Sequence, residues 1–172
     1  MLDEEPSRDE GRAGLRIGAV GLIARNSDLL TNFYRDLLGL TVLDRGGGVA
    51  RLGAGGVTLL EIEERRNATP DDPATAGLYH TAFLMPTRQD HARWIHHLAK
   101  TGMAITGASD HGVSEAFYLD DPEGNGVEVY NDRPREIWPW ENGLVVMRTK
   151  PLDIERLLGV IDHFIQPKRA AG

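Results

Sequence analysis

The chain has 172 residues, with 19 Lys and Arg against 26 Asp and Glu, so its formal net charge is −7 with the histidines neutral. That length suits one domain able to bury a core without staples, and the lack of Cys excludes disulfides, thiolate nucleophiles and cysteine-based zinc sites. The acidic balance leaves no footprint for nucleic acid, no apolar run approaches a membrane span, and the opening LDEEPSRDEG lacks the basic start and apolar stretch of a signal peptide. The expected location is therefore cytoplasmic, and any metal must be held by His, Asp or Glu.

Residues 1–14 combine charge, Pro and Gly with little apolar content and read as a leader that cannot offset the entropy of ordering. From Leu15 to Ala24 the chain is apolar and rich in Ile, Val and Leu, as in a buried strand. A helix follows. Asn26 or Ser27 can cap it, Leu30, Phe33, Tyr34 and Leu37 share one face, and Gly39 suits a left-handed end. Short strands at Leu40 to Leu43, Val49 to Leu52 and Val57 to Ile62 are punctuated by glycine-rich turns.

After the polar connection Arg65 to Gly77 the same order returns. Leu78 to Met85 reads as a strand, Thr87 with Asp90 resembles a capping box, His91, Trp94, Ile95 and Leu98 mark a helical face, and Gly102 ends it. Strands are expected at Met103 to Thr106, Glu115 to Leu119 and Gly126 to Tyr130, with a tight turn from Asp121 to Gly126. The unit is βαβββ, used twice, which predicts an α+β fold whose paired modules form a cleft between curved mixed sheets. The domain spans 15–134, with modules 15–64 and 78–134. An extension, 135–172, follows, in which Trp138 and Trp140 anchor the chain and Leu152, Ile154, Leu157 and Leu158 suit a short helix begun by Pro151 and Asp153.

The motifs LLTNFYRDLLGLTVL and DDPEGNGVEVYNDRP resemble those of the vicinal oxygen chelate superfamily, which includes glyoxalase I, bleomycin-resistance proteins and extradiol dioxygenases. More narrowly, LYHTAFLMP, GASDHGVSEAFYLDDPEGNGVEVYNDRPRE and TKPLDIERLLG resemble the amino-terminal half of two-domain bacterial catechol 2,3-dioxygenases. The resemblance runs from Arg16 to Gly159. It implies a glyoxalase-like fold and a metal site built from one inward position on the first and last strand of each module. Those positions fall on Ala19, Glu61, His80 and Glu128, and strand alternation puts Glu61, His80 and Glu128 on cleft faces.

His80, Glu128 and Glu61 are therefore the candidate metal ligands, suited to Fe(II) or Mn(II) first and Ni(II) or Zn(II) second. Ala19 stands where many metal-dependent members carry a ligand, which leaves an extradiol-type triad incomplete. The resemblance also implies proton handling by His111 and hydrogen bonding to a developing anion by Tyr118. Structural readings stand beside these. Glu61, Glu63 and Glu64 close an edge-like strand before Arg65 and Arg66 and suit a solvated charge cluster, His96 and His97 lie off the apolar helix face, His91 suits boundary packing, and His163 has no evident partner. The implied function is a metal-dependent enzyme acting on a small oxygen-rich or catecholic substrate. The alternative is a metal-free small-molecule binding protein of the bleomycin-resistance type, with Ala19 and Gly21 enlarging its cleft. The expected partners are a small molecule and a second copy of the chain, with neither nucleic acid nor membrane. Removing residues 1–14 should leave the urea midpoint of unfolding nearly unchanged, because they offer little apolar area to bury.

Overall fold

The computed structural model of the protein describes residues 18–72 and 74–165, with side chains to residue 161. The leader at 1–14, the first residues of the strand expected from Leu15, and the side chain of His163 lie outside the described residues. The first module consists of β1 (Val20–Ala24), α1 (Ser27–Leu38), β2 (Thr41–Gly46), β3 (Val49–Ala54) and β4 (Val57–Glu64). The second consists of β5 (Thr81–Leu84), α2 (Arg88–Thr101), β6 (Gly107–Asp110), β7 (Ser114–Asp120) and β8 (Gly126–Asp132). Each is a βαβββ unit, and the fold is α+β.

Local chemistry sets the helix limits. The Asn26 side chain accepts from the Leu29 main-chain N–H at 3.0 Å and Gly39 ends α1 at φ 75°. Thr87 caps α2 by accepting from the Asp90 N–H at 3.1 Å, and Gly102 closes it at φ 70°. Orphan amides at helix starts need such acceptors, and the left-handed end is cheapest for glycine. Leu30, Phe33, Tyr34 and Leu37 of α1 and His91, Trp94, Ile95 and Leu98 of α2 are buried.

Each helix returns the chain so that the last strand of a module lies parallel to its first, a pairing that a hairpin cannot make. The strand orders are β1-β4-β3-β2 in one sheet and β6-β7-β8-β5 in the other. On β4 Leu60 and Ile62 are fully buried, whereas Leu59, Glu61 and Glu63 are half-buried; on β8 Val127, Val129 and Asn131 are buried, whereas Glu128 and Tyr130 are half-buried. One face of each sheet is thus core and the other carries polar groups. Because β4 lies between β1 and β3, it is an interior strand, not the edge that its charged end suggests. Glu63 and Glu64 are neutralised instead by Arg65 and Arg66, at 2.8 and 2.6 Å.

Two other expectations need correction. The first strand after α2 is Gly107–Asp110, not Met103 to Thr106, because the register opposite β7 aligns Gly107 with Tyr118 and leaves Met103 and Ile105 exposed. His91 is fully buried and not at a boundary. Its Nδ1 lies 2.7 Å from the Asn131 Oδ1, and burial pushes the imidazole below its ordinary pKa against the opposing pull of Asn131. His96 is half-buried; His97 is exposed, with Nε2 2.9 Å from the Asp36 carbonyl.

The extension folds back on the second module. After a single 3-10 turn at Arg135–Ile137, β9 (Trp140–Glu141) and β10 (Leu144–Val145) form a small hairpin through Asn142 and Gly143, both at positive φ. Then β11 (Lys150–Pro151) pairs with β6, and α3 (Ile154–Ile165) packs on α2 with Leu157 and Ile161 buried. Trp138 anchors this segment by donating its indole N–H to the Arg133 carbonyl at 2.7 Å. Trp140 is more exposed, and the Arg135 guanidinium lies about 5 Å from both indole rings, at 5.3 and 5.1 Å.

Buried polar bonds tie the two modules together. The Tyr34 hydroxyl of α1 donates to Asp121 Oδ2 at 2.9 Å, and the Trp94 indole of α2 donates to the Leu37 carbonyl at 2.9 Å. The other oxygen of Asp121 accepts from the main-chain N–H groups of Glu123 and Asn125, at 2.9 and 3.0 Å, which fixes the turn before β8. Tyr34→Phe removes the hydroxyl and leaves Asp121 with its turn partners, so it should lower the unfolding free energy by about 1–2 kcal/mol in urea denaturation.

Candidate active site

Strand register brings the site together. Gly21 on β1 lies opposite Glu61 on β4, and Ala82 on β5 lies opposite Glu128 on β8. Stepping back two residues along each first strand reaches Ala19 and His80, which share a sheet face with Gly21 and Ala82 by the period of a strand. The second module can therefore bring His80 and Glu128 together, and it does: His80 Nε2 is 2.9 Å from Glu128 Oε2. Gly126 makes this approach possible. A Cβ there would come within 2.3 Å of the Tyr79 carbonyl oxygen, so only glycine lets the start of β8 run against the backbone that carries His80.

The contact continues across the sheet. Tyr118 on β7 lies opposite Glu128, and its hydroxyl donates to Glu128 Oε1 at 3.0 Å. The same hydroxyl oxygen is 2.9 Å from His111 Nε2, and His111 Nδ1 is 2.9 Å from the Arg148 main-chain carbonyl. Burial, and then the Glu128 carboxylate, push the Tyr118 pKa above the ordinary tyrosine range. The phenol is therefore neutral and a donor at physiological pH. Tyr118 hydrogen-bonds both Glu128 and His111, and His80 stands in contact with Glu128, so the four side chains form one line of contacts; His80 and Tyr118 stand on the wall of a cavity of about 380 Å³ that also takes in Tyr79, Gly107 and Val127.

Glu61 does not join that line. It faces Arg51 across the β3 and β4 pair and accepts from its Nε at 2.8 Å, while the Arg51 Nη1 reaches Asp44 at 2.9 Å. The expected convergence of Glu61 with His80 and Glu128 is corrected accordingly: a neighbouring guanidinium satisfies Glu61 within its own module. Among the described residues no three His, Asp or Glu side chains are grouped as a metal site. Imidazole nitrogen and carboxylate oxygen suit a divalent ion, so the donor set fits one in two positions, His80 and Glu128, and does not complete a facial triad. Ala19 has no donor atom to add.

Three participants escaped the sequence reading. Arg51 carries a signal, since it precedes Glu61 by the same interval as Tyr118 precedes Glu128 in the repeated module. Gly126 sits in a turn motif that any reader assigns to the turn alone. The Arg148 carbonyl has no signal, because every residue has one.

Tyr118→Phe should remove one ionisation above the ordinary tyrosine range in a near-ultraviolet pH titration, leaving those of the other tyrosines. The raised folded pKa sets the sign of the linkage. Stability from the neutral phenol is fully present below the unfolded pKa of about 10 and declines as the pH rises above it, so the variant should lose stability less steeply in alkali.

The family model described as Glyoxalase/Bleomycin resistance protein/Dioxygenase superfamily matches residues 16–129. A protein of Bacillus subtilis (strain 168) named catechol-2,3-dioxygenase is 42% identical over 146 residues, covering 83% of this chain and 50% of that protein. Biphenyl-2,3-diol 1,2-dioxygenase 2 of Rhodococcus globerulus is 34% identical over 77 residues, which cover 43% of this chain and 40% of that one. The chain thus spans half or less of the length of these relatives. Among solved structures, a glyoxalase/dioxygenase from Nostoc punctiforme superposes with a TM-score of 0.60 at 19% identity, covering 78% of this chain and 100% of that one, which speaks to the fold alone. A duplicated βαβββ unit with this register, matched over most of its length by the family model, belongs to the glyoxalase/bleomycin resistance/dioxygenase superfamily.

Proposed function

We propose that this chain is a metal-dependent enzyme of extradiol type that acts on a small catecholic or otherwise oxygen-rich substrate in the cavity beside His80. The observation that carries the reading is the line of contacts His80, Glu128, Tyr118, His111, two of whose members stand on the cavity wall. The likeness to a protein named catechol-2,3-dioxygenase supports the substrate class.

In this reading His80 Nε2 and a Glu128 oxygen hold Fe(II) or Mn(II), with Ni(II) or Zn(II) as the less favoured ions and the remaining positions left to water and substrate oxygens. When bound, the ion supplies Lewis-acid polarisation of the oxygens it touches. The chain does the rest. The cavity is of the size that takes a small ligand, and the Tyr79 ring on its wall offers an apolar surface to an aromatic ring. Tyr118, held neutral, donates to an oxygen that gains negative charge. His111, bonded to Tyr118, takes the proton that a substrate hydroxyl loses through that phenol.

The test is to incubate the purified chain with Fe(II) or Mn(II), remove free ion, and measure retained metal together with dioxygen uptake in the presence of catechol. His80→Ala and Glu128→Ala should each lower both by more than about 10-fold, whereas His97→Ala should change neither. Retention by the unaltered chain no higher than by His80→Ala overturns the metal-dependent reading. A second reading, a metal-free small-molecule binding protein, is favoured by the presence of two protein ligands where a triad has three; it requires calorimetric binding of catechol that is unaffected by a chelator.

A further inference from the structure

We infer that the segment from Trp138 to Pro151 is a positioning element for His111, its Arg148 main-chain carbonyl holding the imidazole proton on Nδ1 so that Nε2 offers its lone pair to Tyr118. The inference rests on the reading above in taking His111 as a proton carrier, and it adds which nitrogen carries and what fixes it.

A carbonyl oxygen can only accept a hydrogen bond. His111 Nδ1 lies 2.9 Å from the Arg148 carbonyl oxygen, so the neutral ring must carry its hydrogen on Nδ1, and Nε2 is then an acceptor. Nε2 faces the Tyr118 hydroxyl oxygen at 2.9 Å, and that same oxygen faces Glu128 Oε1 at 3.0 Å. Tyr118 therefore has two acceptors and one hydrogen. The line is one hydrogen short of filling every gap. The vacancy lies at the Tyr118–His111 contact whenever the phenol donates to Glu128, as it does here. A group in the cavity that gives a proton to the Tyr118 oxygen, while the phenol passes its own to Nε2, fills the vacancy. The cavity group becomes an anion, Tyr118 stays neutral, and His111 becomes imidazolium held by the Arg148 carbonyl and the phenol oxygen. With the opposite tautomer Nε2 would carry a hydrogen already, and no proton could be taken up beside Tyr118.

The extension is built to hold that carbonyl in place. The Arg148 N–H donates to the His111 carbonyl at 3.0 Å, so Arg148 and His111 are joined by one main-chain bond and one bond through the ring. Beyond Arg148, β11 adds to β6 with Lys150 opposite Asp110 and Pro151 opposite Ser109. On the other side, the Val146 N–H donates to the Pro139 carbonyl at 2.8 Å. Gly112, next to His111, runs at φ 78°, and a Cβ on it would meet the Pro139 ring at 3.3 Å, so the His111 turn lies directly under the segment. The Arg148 side chain points elsewhere, its guanidinium lying 3.7 Å from Glu141.

The experiment is long-range proton–nitrogen NMR of the full chain with nitrogen-labelled histidine, recorded at a pH where the rings are neutral, with the His111 signals identified by their loss in His111→Asn. The expected result is an Nδ1–H ring for His111. Arg148→Ala keeps both main-chain groups and should keep that pattern. Arg148→Pro cannot donate to the His111 carbonyl and should shift the ring to a mixture of tautomers or to Nε2–H. An Nε2–H ring in the unaltered chain overturns the inference, and so does an unchanged pattern in a folded Arg148→Pro. If Arg148→Pro does not fold, the unaltered chain and Arg148→Ala still decide: Nδ1–H in both supports the positioning role, and loss of it in Arg148→Ala overturns it. A chain that shows Nδ1–H but takes up no dioxygen with catechol loses the functional reading and keeps this one; an active chain with Nε2–H does the reverse.

Discussion

Closure of each module by a parallel pair, first strand beside last, is the constraint from which the remaining geometry follows. A parallel pair needs a crossover long enough to return the chain, and here a helix supplies it. That helix must bury its apolar stripe, so it covers one face of its sheet and commits that face to Leu, Ile and Val. Strand alternation then leaves the opposite face for groups that tolerate or require a polar setting. The register Gly21 with Glu61 and Ala82 with Glu128 is a product of this closure, and no other pairing in the fold would bring a residue from the first strand of a module beside one from its last.

The two modules use one framework for different chemistry. Arg51 and Tyr118 occupy matching register positions, each opposite the glutamate of its last strand, and each bonds that glutamate at about hydrogen-bond length, 2.8 and 3.0 Å. Arginine answers the carboxylate with a permanent charge, which it shares with Asp44. Tyrosine answers it with a single hydrogen and passes the contact on to His111. The difference between an ion pair with Arg51 and a hydrogen bond that continues to His111 thus begins with one side chain on the third strand of each unit.

What the sequence reveals divides along the range of the interactions. Helix limits are legible because their determinants lie within one turn: Asn26 to Leu29, Thr87 to Asp90, Gly39 and Gly102. The four inward positions Ala19, Glu61, His80 and Glu128 are legible only through the resemblance to the superfamily, with which strand alternation agrees because it is periodic. Met103 to Thr106 resembles a strand in composition and is not one, since a strand exists only where a partner accepts its register, and β7 accepts Gly107 onward. The fate of Glu61 depends on a guanidinium across a hairpin, which composition near Glu61 does not disclose. The burial of His91 depends on Asn131, far away in sequence. Least legible is the Arg148 carbonyl, a feature of backbone path alone.

The repeated register also makes the first module an internal control for the second. Arg51 and Glu61 sit where Tyr118 and Glu128 sit, on strands of the same order and sense, so a paired substitution in either module meets the same backbone register. A change at Arg51 or Glu61 therefore gauges what the loss of the glutamate's cross-strand bond does to the sheet. The repeated fold thus holds within a single chain both the instrument and the blank against which to read it.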